Sequence, residues 1–102
     1  MLRGKQKRYL RSQAHHMDPI FQIGKNGVTE EFIQQVDEAL EKRELFKISL
    51  LQNTDEFADE AAEVIAQATQ AEVVQIIGRV IILYRASKKE KNQRYSREVN
   101  KI

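Results

Sequence analysis

Gly24-Lys25-Asn26-Gly27 sets two glycines three residues apart around a lysine, between the apolar run Ile20 to Ile23 and a helical pattern opening at Thr29. Such a turn bends sharply, keeps side chains clear of an approaching polymer, and leads into a helix start whose free amides favour phosphate. Lys25 adds a positive charge at its tip. The chemistry implied is clamping of a nucleic-acid backbone rather than reading of bases. A second cationic set lies upstream. Arg3, Lys7, Arg11 and His15 recur at i, i+4, with Lys5 and Arg8 nearby and no acid among residues 1 to 16. A helix that merely faces water mixes acids with bases, so a face of one sign points to a polyanion. A Gly-x-x-Gly spacing alone is a common turn. Its flanking elements and the basic ladder give it meaning, provided the first helix lies beside the loop.

Other chemistries find no support. His15 and His16 are adjacent and point about 100° apart on a helix, so they do not form the i, i+4 pair that chelates a metal. Glu30, Glu31, Asp37, Glu38 and Glu41 have the spacing of a solvated helix exterior rather than of an acid/base or cation site. There is no nucleophile elbow, Walker loop, dinucleotide fingerprint or zinc spacing, so neither catalysis, cofactor nor metal is expected. Phe21, Phe32, Phe46 and Phe57 fall on apolar stripes or strands and are expected in the core, and none of Tyr9, Tyr84 and Tyr95 is assigned to the site.

The elements that would hold these residues follow from periodicity. Residues 3 to 17 read as a helix with Leu2, Tyr9, Leu10 and Met17 on its packing side, ended by Asp18-Pro19. Residues 20 to 23 are a short strand candidate. Thr29 is placed to cap a helix reaching about Lys42, with Ile33, Val36 and Leu40 as its apolar stripe. Phe46, Ile48 and Leu50 alternate with Lys47 and Ser49 as a strand. Asn53, Thr54 and Asp55 read as capping residues for an alanine-rich helix from about Asp55 to Gln70. Residues 73 to 77 and 80 to 85 are β-branched runs joined by Gly78-Arg79, a two-residue hairpin with glycine first. From Ala86 the sequence predicts a frayed helix or flexible tail.

Alternating strands and helices with a closing hairpin predict a single α/β domain, a mixed four-stranded sheet packed with three helices. Continuous apolarity in the last two strands calls for cover on both faces, partly from the first helix. The 102 residues, 41% apolar and 31% charged, suit one globular domain. No apolar run spans a bilayer, no secretory signal is read, and cytoplasmic residence as a monomer is expected. Net charge is segregated. Residues 1 to 16 carry +5 and residues 86 to 102 carry +4, leaving −7 for the remainder of a chain whose total is +2. A polyanion would meet the ends and be repelled by the exposed middle.

The run Gly4-Lys5-Gln6-Lys7-Arg8-Tyr9-Leu10-Arg11, then Ala14-His15-His16, Gln22-Ile23-Gly24-Lys25-Asn26-Gly27, Gly78-Arg79-Val80 and Leu83-Tyr84-Arg85 resemble the YhbY-like bacterial proteins. These are the stand-alone form of the CRM domain, named for chloroplast RNA splicing and ribosome maturation. The similarity covers about residues 2 to 86, which divides the chain into a CRM-like domain, 1–86, and a basic tail, 87–102. It implies a fold similar to the C-terminal domain of bacterial translation initiation factor three, RNA binding, and association with large ribosomal subunit precursors. The family's loop carries over onto Gly24, Lys25, Asn26 and Gly27, and its basic helix onto Arg3, Lys5, Lys7, Arg8 and Arg11. Two other readings stand beside this one: a protein-interaction adaptor using the acidic helix faces, and a nucleoid-type DNA binder.

Overall fold

A computed structural model describes residues 1–102. The order is α1 (Gly4–Ala14), β1 (Phe21–Ile23), α2 (Glu30–Arg43), β2 (Leu45–Leu50), α3 (Ala58–Thr69), β3 (Glu72–Ile77), β4 (Val80–Tyr84), a 3-10 turn (Glu90–Asn92) and α4 (Tyr95–Val99). The strands form one sheet in the order β1-β2-β4-β3, with β1 parallel to β2 and the other pairs antiparallel. This is the mixed four-stranded sheet with three main helices expected from the sequence. The parallel pair needs a crossover, which α2 supplies.

Strand alternation divides the core in two. Phe46, Ile48 and Leu50 join Ile23, Ile81 and Leu83 beneath Val36 and Leu40 of α2 and Ala61, Ala62 and Ile65 of α3. The small alanines let α3 approach the sheet closely. On the other face Leu45, Val74, Ile82 and Tyr84 pack against Leu10 and Ala14 of α1 and Val99 of α4. Each residue buried here removes apolar surface from water at about 25 cal/mol per Å².

Local signals act largely as their chemistry predicts. The Thr29 hydroxyl accepts from the Phe32 amide at 3.0 Å, capping α2. Gly78 takes φ +56 at the first central position of the hairpin, where glycine costs least. Three expectations are corrected. First, α1 stops at Ala14 rather than residue 17, because the Ala14 carbonyl turns to accept the Met17 amide. Second, α3 starts at Ala58, not Asp55. Thr54 spends its hydroxyl on a local turn, accepting from the Glu56 amide at 3.2 Å, and Phe57 becomes the extended N-cap residue, 68% exposed instead of in the core.

The third correction concerns the tail, which is docked rather than frayed or flexible. Glu44 ends α2 with φ +66, and its fully buried carboxylate accepts from the amides of Ser87, Arg94, Tyr95 and Ser96 and from the Ser96 hydroxyl, at 2.6 to 3.1 Å. Four backbone donors thus converge on one side chain, including the free amides that open α4. Burial pushes its pKa up, but the hydrogen bonds from Ser87, Ser96 and Arg94 outweigh it and hold the carboxyl below its ordinary value. Glu41, one turn earlier, accepts from the Ser87 hydroxyl at 2.7 Å and from the Lys88 and Lys89 amides. Its pKa is lowered chiefly by that Ser87 bond.

Candidate nucleic-acid interface

The glycine turn sits where β1 ends. The Gly27 amide donates to the Gly24 carbonyl at 3.1 Å, closing the four residues, and Lys25 and Asn26 stand exposed at the tip. Gly27 has φ +68, and a Cβ there would meet the Glu56 carboxylate at 2.9 Å. Gly24 is restricted differently, since a Cβ would touch Leu51 at 3.4 Å. Leu51 is itself fixed, its amide donating to the Ile23 carbonyl at 2.9 Å and its carbonyl accepting from the Arg79 guanidinium. Arg79 Nε also donates to the Leu50 carbonyl at 3.1 Å. The hairpin tip therefore holds the segment against which the glycine turn rests. Reading Gly78-Arg79 only as a turn missed this role, and a long side chain next to a tip glycine was its one signal.

α1 lies along β3, β4 and β2, on the face opposite α2 and α3. Arg8, Arg11, Ser12 and His15 line an open cleft of about 470 Å³ with Lys47, Gln75, Ile77 and Ile82 of the sheet. Lys7 stands outside this cleft. Arg3 and Lys5 flank a separate hollow near the start of α1 with Arg8, and the Arg3 guanidinium donates to the Ile102 carbonyl. The expected i, i+4 ladder is thus split: of its members Arg11 and His15 line the cleft, joined by Arg8 from beside the ladder. Lys47, which alternation had assigned only to a wetter strand face, joins them.

Loop and helix do not share a cavity. The glycine turn borders a hollow with Gln22, Thr29, Glu31, Phe32 and Gln35, none of which lines the α1 cleft. They are joined by the sheet. Gln22 pairs with Ser49 and Lys47 with Ile82, and all of these share the α1 face by the pleat. Gln22 borders the loop hollow, Lys47 borders the cleft, and Ser49 stands between them. The route from α1 to the glycine turn is therefore an open polar strip across β2 and β1. Only Arg85, among all lysines and arginines, makes an ion pair within 4 Å to a side-chain carboxylate, so the strip's cations are free.

The acidic face of α2 is less free. Asp37 is bound by Arg85 at 2.5 Å, and Glu41 is occupied by the tail as described. Among the aromatics, Phe21 stacks edge-on against Phe32 and Phe46 at 5.8 and 5.6 Å, and Tyr84 is buried. Burial, and then the nearby Glu44 charge, push the Tyr84 phenol up to about 12. No Phe or Tyr ring lines the α1 cleft, where His15 is the one aromatic side chain, and this suits contact with a backbone more than stacking of bases.

A small mixed α/β domain with unpaired cations along one sheet face and a closed glycine turn at its end is the class that fold and site define. The chain belongs to the CRS1 / YhbY (CRM) domain family, which it matches over residues 2–85. It is 53% identical over 91 residues to "Probable RNA-binding protein YqeI" of Bacillus subtilis, covering 89% of this chain and 95% of that one. An "RNA-binding protein" of Haemophilus influenzae is 36% identical over 89 residues, covering 87% and 90%. The solution structure of SAV1595 from Staphylococcus aureus, described as a candidate RNA-binding protein, superposes with a TM-score of 0.74 at 54% identity. That match covers 92% of this chain and 98% of the other.

Proposed function

We propose that this chain is a non-enzymatic RNA-binding protein that associates with large ribosomal subunit precursors and assists their assembly. The glycine turn grips backbone, Arg8, Arg11 and Lys47 supply charge along the strip that leads to it, and His15 lines the same cleft. Lys25 adds a contact at the tip, while Arg3, Lys5 and Lys7 extend the field at the outer end of α1. Residues 1–86 form the binding unit, residues 87–102 clasp it, and it acts as a cytoplasmic monomer. The observation that carries this reading is a set of cations without ion pairs, Arg8 and Arg11 of α1 with Lys47 of β2 in one cleft, from which the neutral polar side chains of Ser49 and Gln22 lead across the sheet toward Lys25. Such charges release counterions from a polyanion, whereas paired ones do not. RNA is favoured over duplex DNA because α1 lies flat on the sheet and no helix stands out to enter a major groove. The adaptor reading loses ground because Asp37 and Glu41 already have partners within the chain.

A salt titration tests it. With about five phosphates neutralised, log affinity for a short single-stranded RNA falls against log salt with a slope of about −3.5. A flat response in fluorescence anisotropy would remove the electrostatic grip on which the reading stands.

A further inference from the structure

At the other end of the sheet, five cations gather where nothing in the strip requires them. Lys42 and Arg43 from the end of α2 and Lys89, Lys91 and Arg94 from the tail line an open cleft of about 510 Å³, with Asn92 and no acid or apolar side chain. All five are exposed and none makes an ion pair. Lys42 and Arg43 could be explained by the negative end of the α2 dipole. Lys89, Lys91 and Arg94 have no such reason to be there.

What holds them is unusual. Glu41 and Glu44 flank Lys42 and Arg43 in sequence, yet both carboxylates turn inward to backbone amides, those of Lys89 and Arg94 among them; Glu41 pairs with Arg85 at 3.7 Å, and neither acid neutralises a side chain of the cluster. Asn92 donates to the Glu41 carbonyl at 3.3 Å. The acids thus fix the backbone of the segment while its cations face outward, so like charges are kept together in one rigid arrangement. A ligand meeting such a site loses little to ordering it.

We propose that this cleft is a second site for RNA backbone, taken by the same RNA that crosses the sheet face. The inference rests on the RNA-binding reading above. The glycine turn and this cleft lie toward opposite ends of β2, a strand of six residues or about 17 Å, so one chain can engage both and gain from the high local concentration of the second contact. A lipid surface fits less well, because membrane-seated elements carry apolar anchors and this cleft has none.

The test compares two RNAs against the full chain carrying Lys42→Gln, Lys89→Gln and Lys91→Gln together. An RNA of about four nucleotides, enough for a glycine turn alone, binds the variant as it binds the wild type. An RNA of about twenty nucleotides binds the variant roughly tenfold more weakly, with a salt slope shallower by about 2. The counterpart with Lys42→Arg, Lys89→Arg and Lys91→Arg restores both. Equal affinity of variant and wild type for the long RNA would overturn the second site while the short RNA still reports on the first. Failure of the wild type to bind either RNA would overturn both readings. Loss of binding to phosphatidylserine vesicles with RNA binding intact would replace the proposal with a membrane contact.

Discussion

Gly27 and Lys25 sit two residues apart and do different work. The Lys25 side chain is exposed, so Lys25→Ala is expected to leave stability within about 0.5 kcal/mol while removing one phosphate contact, a change of about 0.7 in the salt slope. Gly27→Val forces a β-branched residue to φ +68 with Glu56 at 2.9 Å from its Cβ, which costs about 2 kcal/mol and displaces the turn. Thermal melts and RNA titrations on the two variants separate charge from geometry. Wild-type affinity in both folded variants would take the loop out of the mechanism. The glycine spacing was legible because only backbone freedom is at stake. Glu56 as its neighbour was not, since that contact depends on how the segment before α3 folds back.

Among elements, the tail is the least ordinary, because much of its order comes from two carboxylates at the end of α2, Glu41 and above all Glu44. The Glu44 pKa is lower folded than unfolded, so the unfolded chain takes up the proton first as pH falls. Its stabilising contribution is complete above the ordinary value of 4.5 and is lost as pH drops below that toward and through the folded value. Melts between pH 3 and 6 should show this decline in the wild type. Glu44→Gln, which turns an amide toward buried donors, should cost about 3 kcal/mol at neutral pH and flatten the profile. An unaltered profile would show that Glu44 does not govern the docking. The β3–β4 hairpin was legible in Gly78-Arg79 and its two β-branched flanks, because every determinant is local. The tail was not. Residues 87 to 96 lack a long apolar face, and the partner that satisfies their amides lies 43 to 52 positions away. The start of α3 was misjudged for a related reason, as Thr54 had two possible uses for one hydroxyl and took the nearer.

For the whole molecule, the sheet separates two surfaces of different sign, and the ribosomal proposal depends on which one meets the particle. Tagged protein is expected to co-sediment with large-subunit precursors more than with mature subunits. Reversing charge at Arg8 and Arg11 should release it, whereas Glu38→Lys on the exposed side of α2 should not. Glu41 is unsuitable as that control, because its carboxylate binds the tail and its loss would disturb the fold. Sedimentation only at the top of the gradient, in cells building ribosomes, would remove the ribosomal part and leave general RNA binding. Sequence periodicity sufficed for the two-sided core, yet it joined α1 and the glycine turn more closely than the sheet does.

The seat of α1 is made from late parts of the chain. Leu10 and Ala14 rest on Val74, Ile82, Tyr84 and Val99, and Gln6 donates to the Val99 carbonyl at 3.0 Å across 93 positions of sequence. Synthesis runs the other way, delivering α1 first and α4 last. During that interval the most cationic helix of the protein has emerged from the ribosome with nowhere to pack, beside the largest body of RNA in the cell. Completion of the final turns is then what withdraws its apolar side into the core and leaves only the charged flank on view.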